Sequence, residues 1–101
     1  MAEAPGYRLR PAARADLAEI WQTGAETWGP DQADRYFDGL VALFALLAEQ
    51  PGIARPRDEF APPVRLHPYR AHIVVYDGPP GAVEVIRVLH NRRNLLAALD
   101  G

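Results

Sequence analysis

The sequence predicts an α+β fold with an N-terminal strand, an antiparallel helical hairpin and a small sheet completed by a C-terminal three-stranded antiparallel meander. Two amphipathic segments with helical spacing, separated by one short turn, lie between residues 12 and 50. Three strand-like runs separated by turn residues follow between residues 64 and 90. Because neither helix has enough apolar area to be stable alone, we expect the hairpin to pack on one face of the sheet.

Size and composition limit the possible classes of protein. With 101 residues and 11.2 kDa, the chain is long enough for one modest core, so we expect a single domain over residues 1–101. The sequence has no cysteine, which excludes disulfides and thiolate zinc sites. Its first residues lack a signal-peptide pattern, and its longest apolar run, residues 40–48, is too short to cross a bilayer. We therefore expect a cytoplasmic protein without membrane contact.

The first helix is predicted to follow a short strand. Residues 7–10 alternate between apolar and charged side chains, and Pro11 ends that strand. Apolar side chains then recur at helical spacing at Ala13, Leu17, Ile20, Trp21 and Trp28. We expect Asp16 to complement the helix dipole, and both tryptophans to lie in the core or at a packed edge.

The second helix has the clearest amphipathic pattern in the chain. Gly29 and Pro30 end the first helix and begin the second, which Pro51 and Gly52 close. Apolar side chains recur every three or four residues at Ala33, Tyr36, Phe37, Leu40, Leu43, Phe44 and Leu47. A turn this short between two long helices forces an antiparallel hairpin.

The remainder of the chain is predicted to form loops and strands. Residues 52–63 are rich in proline and charge without any periodicity, which indicates an ordered surface loop. Strands are predicted at residues 64–67, 70–76 and 83–90, with corners at residues 68–69 and 77–81. Residues 91–99 have leucines at helical spacing and predict a short final helix, which is marginal unless it docks.

The strand at residues 83–90 contains a charge in an otherwise apolar run. Alternation along this strand puts Val83, Val85, Arg87 and Leu89 on one face, and Glu84, Ile86, Val88 and His90 on the other. A guanidinium in such a covered strand must find an acceptor or reach water, because an unpaired buried charge is costly. Arg87 is therefore a candidate functional residue. The alternative is a structural ion pair, with Glu84 or with an acid of the loop.

Five segments of the sequence carry a family resemblance. They are P-A-A-R-A-D-L-A-E-I-W at residues 11–21, W-G-P-D-Q-A-D-R-Y at 28–36, P-G-I-A-R-P-R-D-E at 51–59, H-I-V-V-Y at 72–76 and V-I-R-V-L-H-N-R-R at 85–93. In this order they resemble the ParE-type toxins of the RelE/ParE superfamily, which come from bacterial toxin-antitoxin operons. A single segment would be weak evidence, whereas five in the family's order are fairly specific.

The resemblance implies a RelE/ParE-like fold, with the hairpin on one side of a small curved sheet and a groove over the other side. It implies a type II toxin that forms a hetero-oligomer with a ParD-like antitoxin, and it implies DNA gyrase as the target. Relatives in the RelE branch instead cut messenger RNA on the ribosome, and the fold alone does not separate the two branches. A non-toxic interaction module derived from the same fold is a third possibility.

The candidate site residues separate the two branches. Metal-free RNA cleavage needs a base, a cation over the phosphate and an acid, and the nuclease set in this chain would be His90, Arg87 and Arg70. Nuclease relatives carry a basic residue within the strand that here contains Ile73, and a tyrosine near the position of Asn91. These departures favour inhibition of gyrase by binding, without catalytic turnover.

The predicted binding residues are cationic. Seven of the 11 arginines lie in residues 51–101. We predict that antitoxin and target contact one cationic side of the sheet through Arg65, Arg70, Arg87, His90, Arg92 and Arg93. His67 and His72 have no cluster of Asp, Glu or Cys at ligand spacing, so neither a metal site nor a cofactor is expected. Sequence-specific binding of nucleic acid by the toxin alone is not expected either.

Overall fold

The computed structural model describes residues 5–100 and the side chains of residues 5–99. The elements in chain order are β1 (Tyr7–Leu9), α1 (Pro11–Trp28), α2 (Pro30–Glu49), β2 (Arg65–Tyr69), β3 (His72–Asp77), β4 (Val83–His90) and α3 (Leu95–Asp100). A short 3-10 turn, Pro51–Ile53, follows α2. This order confirms the α+β fold predicted from the sequence.

The sheet has the strand order β1-β4-β3-β2, which makes β4 a central strand. The last three strands form the predicted antiparallel meander, whereas β1 is parallel to β4. β1 pairs only with residues 83–85 of β4. Within the described chain, the second half of β4 therefore has no strand on that side, and α1 packs beside it instead.

The helical hairpin covers one face of the sheet, as predicted. Gly29 has a φ of 96°, which glycine adopts without strain, and the chain reverses there between the end of α1 and Pro30 of α2. The shared core consists of Ala13, Leu17, Leu40, Leu43, Phe44 and Leu47 from the helices and Val74, Tyr76, Val83, Val85 and Val88 from the sheet. Burying one large apolar side chain is worth about 1.5 to 3 kcal/mol. Because α2 supplies four of these side chains and α1 supplies only Ala13 and Leu17, α2 contributes more to the stability of this core.

The tryptophans of α1 do not lie in the core. Trp28 is 75% exposed and Trp21 is 37% exposed. The last residue of α1 that packs on the core is Ile20, so the helix extends past the surface that it covers. The prediction of a core or packed-edge position is therefore wrong for Trp28. Trp21 lies at the edge of the hairpin, where its indole N–H donates to Oδ1 of Asp34 in α2 at 2.8 Å.

The turn between β2 and β3 is formed by Arg70 and Ala71, two residues later than predicted. Pro68 lies inside β2, in register with Ile73 of β3. β2 is at the edge of the sheet, so one of its sides has no neighbouring strand. Proline is tolerated on such a strand because its missing N–H would have faced the open side, and no inter-strand hydrogen bond is lost. The predicted corner at residues 68–69 is therefore wrong.

A β-bulge interrupts the predicted alternation along β4. Val85 pairs with Tyr76 and Arg87 pairs with Val75, which leaves Ile86 as an extra residue. Consequently Val88 joins Val83 and Val85 in the core under the helices. Ile86 lies on the face opposite Val83 and Val85 as predicted, but the prediction that residues 83–90 alternate without interruption is wrong from Arg87 onward.

The sheet face opposite the hairpin carries a second apolar cluster. Its buried members are Phe60, Val64, Val75 and Leu89, and Leu66, Ile86, Leu95, Ala98 and Leu99 pack against them. The loop after α2 and helix α3 therefore cover much of this face. The expectation of an open sheet face is wrong where these side chains pack, and the short final helix is stabilised by docking there.

Candidate functional site

Asp16 of α1 binds the open edge of β4. Its Oδ2 accepts hydrogen bonds from Nε of Arg87 at 2.7 Å and from the backbone N–H of Val88 at 2.9 Å. Its Oδ1 accepts a further hydrogen bond from Nη2 of Arg87 at 2.9 Å. β1 ends before it reaches Val88, so the Val88 N–H has no strand partner on that side. The Asp16 carboxylate supplies the acceptor that a neighbouring strand would otherwise have provided.

Arg87 forms a structural ion pair with Asp16. The hydrogen bonds from its guanidinium to Asp16 raise the pKa of Arg87 above its ordinary value. The alternative interpretation of Arg87, a structural ion pair, is confirmed, but the partner is Asp16 and not Glu84 or an acid of the loop. The expectation that Asp16 complements the α1 dipole is wrong, because its carboxylate points at β4.

Glu84 is held by two arginines of the N-terminal segment. Nε of Arg8 and Nε of Arg10 donate to its two carboxylate oxygens at 3.1 and 2.9 Å. The hydrogen bond from Arg10 lowers the pKa of Glu84, and both positive charges act in the same direction. Because these pairs are exposed, each stabilises by at most about 1 kcal/mol, and their main effect is to align β1 with β4.

Arg65 lies at the opposite end of β2 from Arg70. Its Nη1 donates to the carbonyl oxygen of Ala54, and its Nε lies 3.6 Å from Oδ1 of Asp77. The charges of Arg65 and Arg87 are thus already paired within the protein. The prediction of one continuous cationic side of the sheet is wrong for this reason.

A cavity of about 790 Å³ lies where the hairpin meets the β2–β3 turn and the end of β4. It brings together three of the predicted site residues, Arg70, His90 and Arg93, and adds Arg35 of α2. Among the side chains that the structure describes, none of these three arginines forms an ion pair with a carboxylate. Arg92 is exposed in the turn that follows β4. We call this region the sheet-end cavity.

Four ring side chains form the wall of the sheet-end cavity between helix and sheet. The Tyr36 hydroxyl lies 2.7 Å from Nδ1 of His72 and 3.3 Å from the carbonyl oxygen of Tyr69. The rings of Tyr36 and Tyr69 meet edge to face at 5.2 Å, and those of His72 and His90 at 5.4 Å across β3 and β4. The backbone N–H of Arg92 donates to Nδ1 of His90 at 3.2 Å. A neutral His90 therefore carries its proton on Nε2.

The lowered pKa of His72 makes the stability of this region depend on pH below neutrality. Burial lowers the pKa of His72 and repulsion from His90 lowers it further, whereas Asp16 acts in the opposite direction. An unfolded histidine has a pKa of about 6.5, so below that pH the unfolded chain binds more protons than the folded one. The contribution of neutral His72 is complete above about pH 6.5 and is lost as the pH falls through the lower value of the folded state.

We predict that the thermal unfolding midpoint falls as the pH is lowered below about 6.5, and that His72→Asn flattens this dependence. A single proton limits the slope to about 1.4 kcal/mol of unfolding free energy per pH unit. Thermal melts of both proteins at a series of pH values measure the effect. An equally steep dependence in His72→Asn would show that another group is responsible.

The sequence indicated His72 as a candidate acid-base group, but it did not indicate Arg35, Tyr36 or Tyr69 as site residues. Tyr36 was assigned to the apolar stripe of α2, and Arg35 is next to it on the polar side of that helix. They enter the site only because the β2–β3 turn packs against α2, which places residues 35–36 beside residues 69–72. The adjacency of a cationic and a ring residue at positions 35 and 36 was the only available signal.

The cavity holds part of the set that RNA cleavage would require. Arg70 and His90 line it together, but Nε and Nη2 of Arg87 donate to Asp16.

In the described part of the chain, no three His, Cys, Asp or Glu side chains come together as potential metal ligands. None of the helices described is both long and apolar enough to cross a membrane.

The fold defines a class of known proteins. A solved structure described as the chromosomal ParDE TA system from P. aeruginosa is similar with a TM-score of 0.71 at 17% sequence identity, covering 83% of this chain and 92% of that chain. The family described as ParE toxin of type II toxin-antitoxin system, parDE, matches residues 7–95. The chain therefore belongs to the ParE toxin family.

Two curated relatives are each 38% identical in sequence to this chain. Toxin ParE1 of Caulobacter vibrioides is 38% identical over 93 residues, which are 92% of this chain and 96% of the relative. Toxin ParE1 of Mycobacterium tuberculosis is 38% identical over 90 residues, which are 88% of this chain and 92% of the relative. These matches confirm the family resemblance on which the functional expectations depend.

Proposed function

We propose that this ParE-family toxin acts in the cytoplasm by binding and inhibiting DNA gyrase, and that a ParD-like antitoxin neutralises it in a hetero-oligomer. The observation that supports a binding function is the set of arginines at the sheet-end cavity, Arg35, Arg70 and Arg93, which have no carboxylate partner in the described chain. Guanidinium groups in this state are available for forked hydrogen bonds to acidic groups of a partner.

The predicted contact residues have two different roles in this proposal. Arg70, His90, Arg92 and Arg93 contact the antitoxin or the target directly, since they lie in or next to the sheet-end cavity. Arg65 instead pairs with Asp77 of β3, and Arg87 links β4 to Asp16 of α1. An antitoxin segment that is disordered when free loses conformational entropy on binding, and it can still bind tightly by covering a large surface.

Growth during induced expression tests the toxin-antitoxin relationship. Expression of the chain alone should stop growth, and co-expression of a ParD-like protein from the same operon should restore it. Normal growth with the chain alone, at a verified level of folded protein, would instead support a non-toxic interaction module.

The target is tested with purified components. Addition of the protein to gyrase should reduce supercoiling and accumulate cleaved DNA complexes, while messenger RNA on translating ribosomes stays intact. The observation that favours the second candidate, a ribosome-dependent nuclease, is that Arg70 and His90 share the sheet-end cavity. Ribosome-dependent cuts that disappear in His90→Ala would support this second candidate and contradict gyrase inhibition.

A further inference from the structure

The sheet-end cavity is larger than a contact with single acidic side chains requires. Its volume of about 790 Å³ lies in the range of small-molecule sites, about 300 to 1,000 Å³. We propose that it binds a small aromatic phosphate monoester, of the nucleoside monophosphate class, with the phosphate against Arg70, Arg93 and His90 and the ring against Tyr69 and Trp28. This inference goes beyond the proposed binding of antitoxin and gyrase.

The charges favour an anion in the cavity. Arg35, Arg70 and Arg93 come from three different elements, α2, the β2–β3 turn and the segment after β4. Of the two acids that line the cavity, Asp16 is already bound to Arg87, which leaves the negative charge of Glu19 against the positive charges of Arg35, Arg70 and Arg93 in the described chain. Like charges that line one space repel each other, and a phosphate dianion removes this repulsion while accepting their forked hydrogen bonds.

The backbone of Arg70 supports a functional role for its side chain. Arg70 has a φ of 51° at the first position of a two-residue turn, where glycine would be free of strain. Residues held in sparsely populated backbone conformations cluster at functional sites. The guanidinium carbon of Arg70 lies 5.8 Å from the centre of the Tyr69 ring, which holds the charge at the wall of the cavity.

His90 adds a hydrogen-bond donor at the same wall. Because its Nδ1 accepts the backbone N–H of Arg92, its Nε2–H remains to donate to an anion. His72 lies beside it, with its pKa lowered by burial. The anion site therefore combines the charges of two arginines with the Nε2–H donor of His90.

Aromatic side chains provide a surface for a planar ring. Tyr69 and Trp28 both line the cavity, and Trp28 is 75% exposed although it is one of the largest apolar groups in the chain. Nucleobases stack on such rings without requiring base-specific hydrogen bonds. Trp28 therefore gains a role that the core of the protein does not give it.

Calorimetric titration of the purified full chain at low salt tests the proposal. Adenosine monophosphate is expected to bind with a Kd of about 1 mM or tighter, more tightly than inorganic phosphate, and adenosine without phosphate should not bind measurably. Arg70→Gln combined with Arg93→Gln should weaken binding at least about tenfold, because charge-assisted hydrogen bonds are lost. Arg14→Gln, which changes an exposed arginine of α1 outside the cavity, should leave binding unchanged.

Arg70→Gly separates binding from folding. This variant removes the guanidinium and relieves the backbone strain, so it should lose binding while its unfolding midpoint is unchanged or raised. The proposal is overturned by an absence of binding up to about 10 mM nucleotide, by equal binding of adenosine, or by equal weakening in Arg14→Gln. Equal binding of inorganic phosphate and nucleotide would overturn the aromatic part. Since these titrations contain no antitoxin or gyrase, their failure is distinguishable from failure of the toxin proposal.

Discussion

Asp16→Ala is expected to destabilise the protein by about 3 kcal/mol, which is the scale of breaking a largely buried ion pair from one side. One carboxylate accepts three hydrogen bonds here, two from Arg87 and one from the backbone of Val88. The side chains of Asp16 and Arg87 are only 11% and 21% exposed, so water replaces these bonds poorly. Removal of Asp16 leaves a cation and a strand N–H without partners. Urea unfolding measures the loss.

Two further variants make this test specific. Asp16→Asn keeps a side-chain acceptor but loses the charge, so it should be destabilised less than Asp16→Ala. Glu26→Ala removes an exposed acid from the same helix and should change stability by no more than about 0.5 kcal/mol. A loss of less than about 1 kcal/mol in Asp16→Ala would show that the edge of β4 does not depend on this carboxylate.

Gly39→Ala is expected to destabilise the protein by about 1 to 3 kcal/mol, although alanine is the better helix former. A Cβ at Gly39 would lie 1.8 Å from the hydroxyl oxygen and 2.9 Å from Cζ of Tyr69. The Tyr69 ring must therefore move away from α2, which disturbs its packing against Tyr36 and the position of Arg70. The same variant should weaken any function of the sheet-end cavity.

Gly24→Ala is the matched control for this prediction. It also introduces alanine inside a helix, but its Cβ would lie 3.6 Å from Cβ of Ala33, an ordinary contact. It should stabilise the protein by roughly 0.5 to 1 kcal/mol, the usual gain from glycine to alanine in a helix interior. Chemical unfolding of both variants should give changes of opposite sign. A stabilised Gly39→Ala would contradict the close packing of Tyr69 on α2.

The elements that the sequence predicted best are those with local signals. The Gly29-Pro30 break and the stripe of α2 depend on residues close in sequence, and β4 lies at the predicted residues 83–90. The bulge at Ile86 and the position of the β2–β3 turn have no comparable local signal, because they depend on which residues pair across strands. Helix α3 is similarly defined by the apolar cluster on which it docks.

The site was predicted less well than the fold for a physical reason. Whether an arginine is free or paired depends on carboxylates that are distant in sequence, such as Asp16 for Arg87. The sequence identified Arg70, His90 and Arg93, which do meet at one cavity. It did not identify Arg35, which reaches the same cavity from α2.

The central claim is that this toxin inhibits gyrase by binding through the free arginines of the sheet-end cavity. The most direct measurement is a supercoiling titration of gyrase with the wild-type chain, with Arg70→Gln/Arg93→Gln and with Arg14→Gln. The three proteins are compared at equal concentrations of folded protein. We predict inhibition by the wild type and by Arg14→Gln, and at least about a tenfold higher concentration for half-inhibition by the double variant. Absence of inhibition by the wild type, or equal inhibition by the double variant, would contradict this claim.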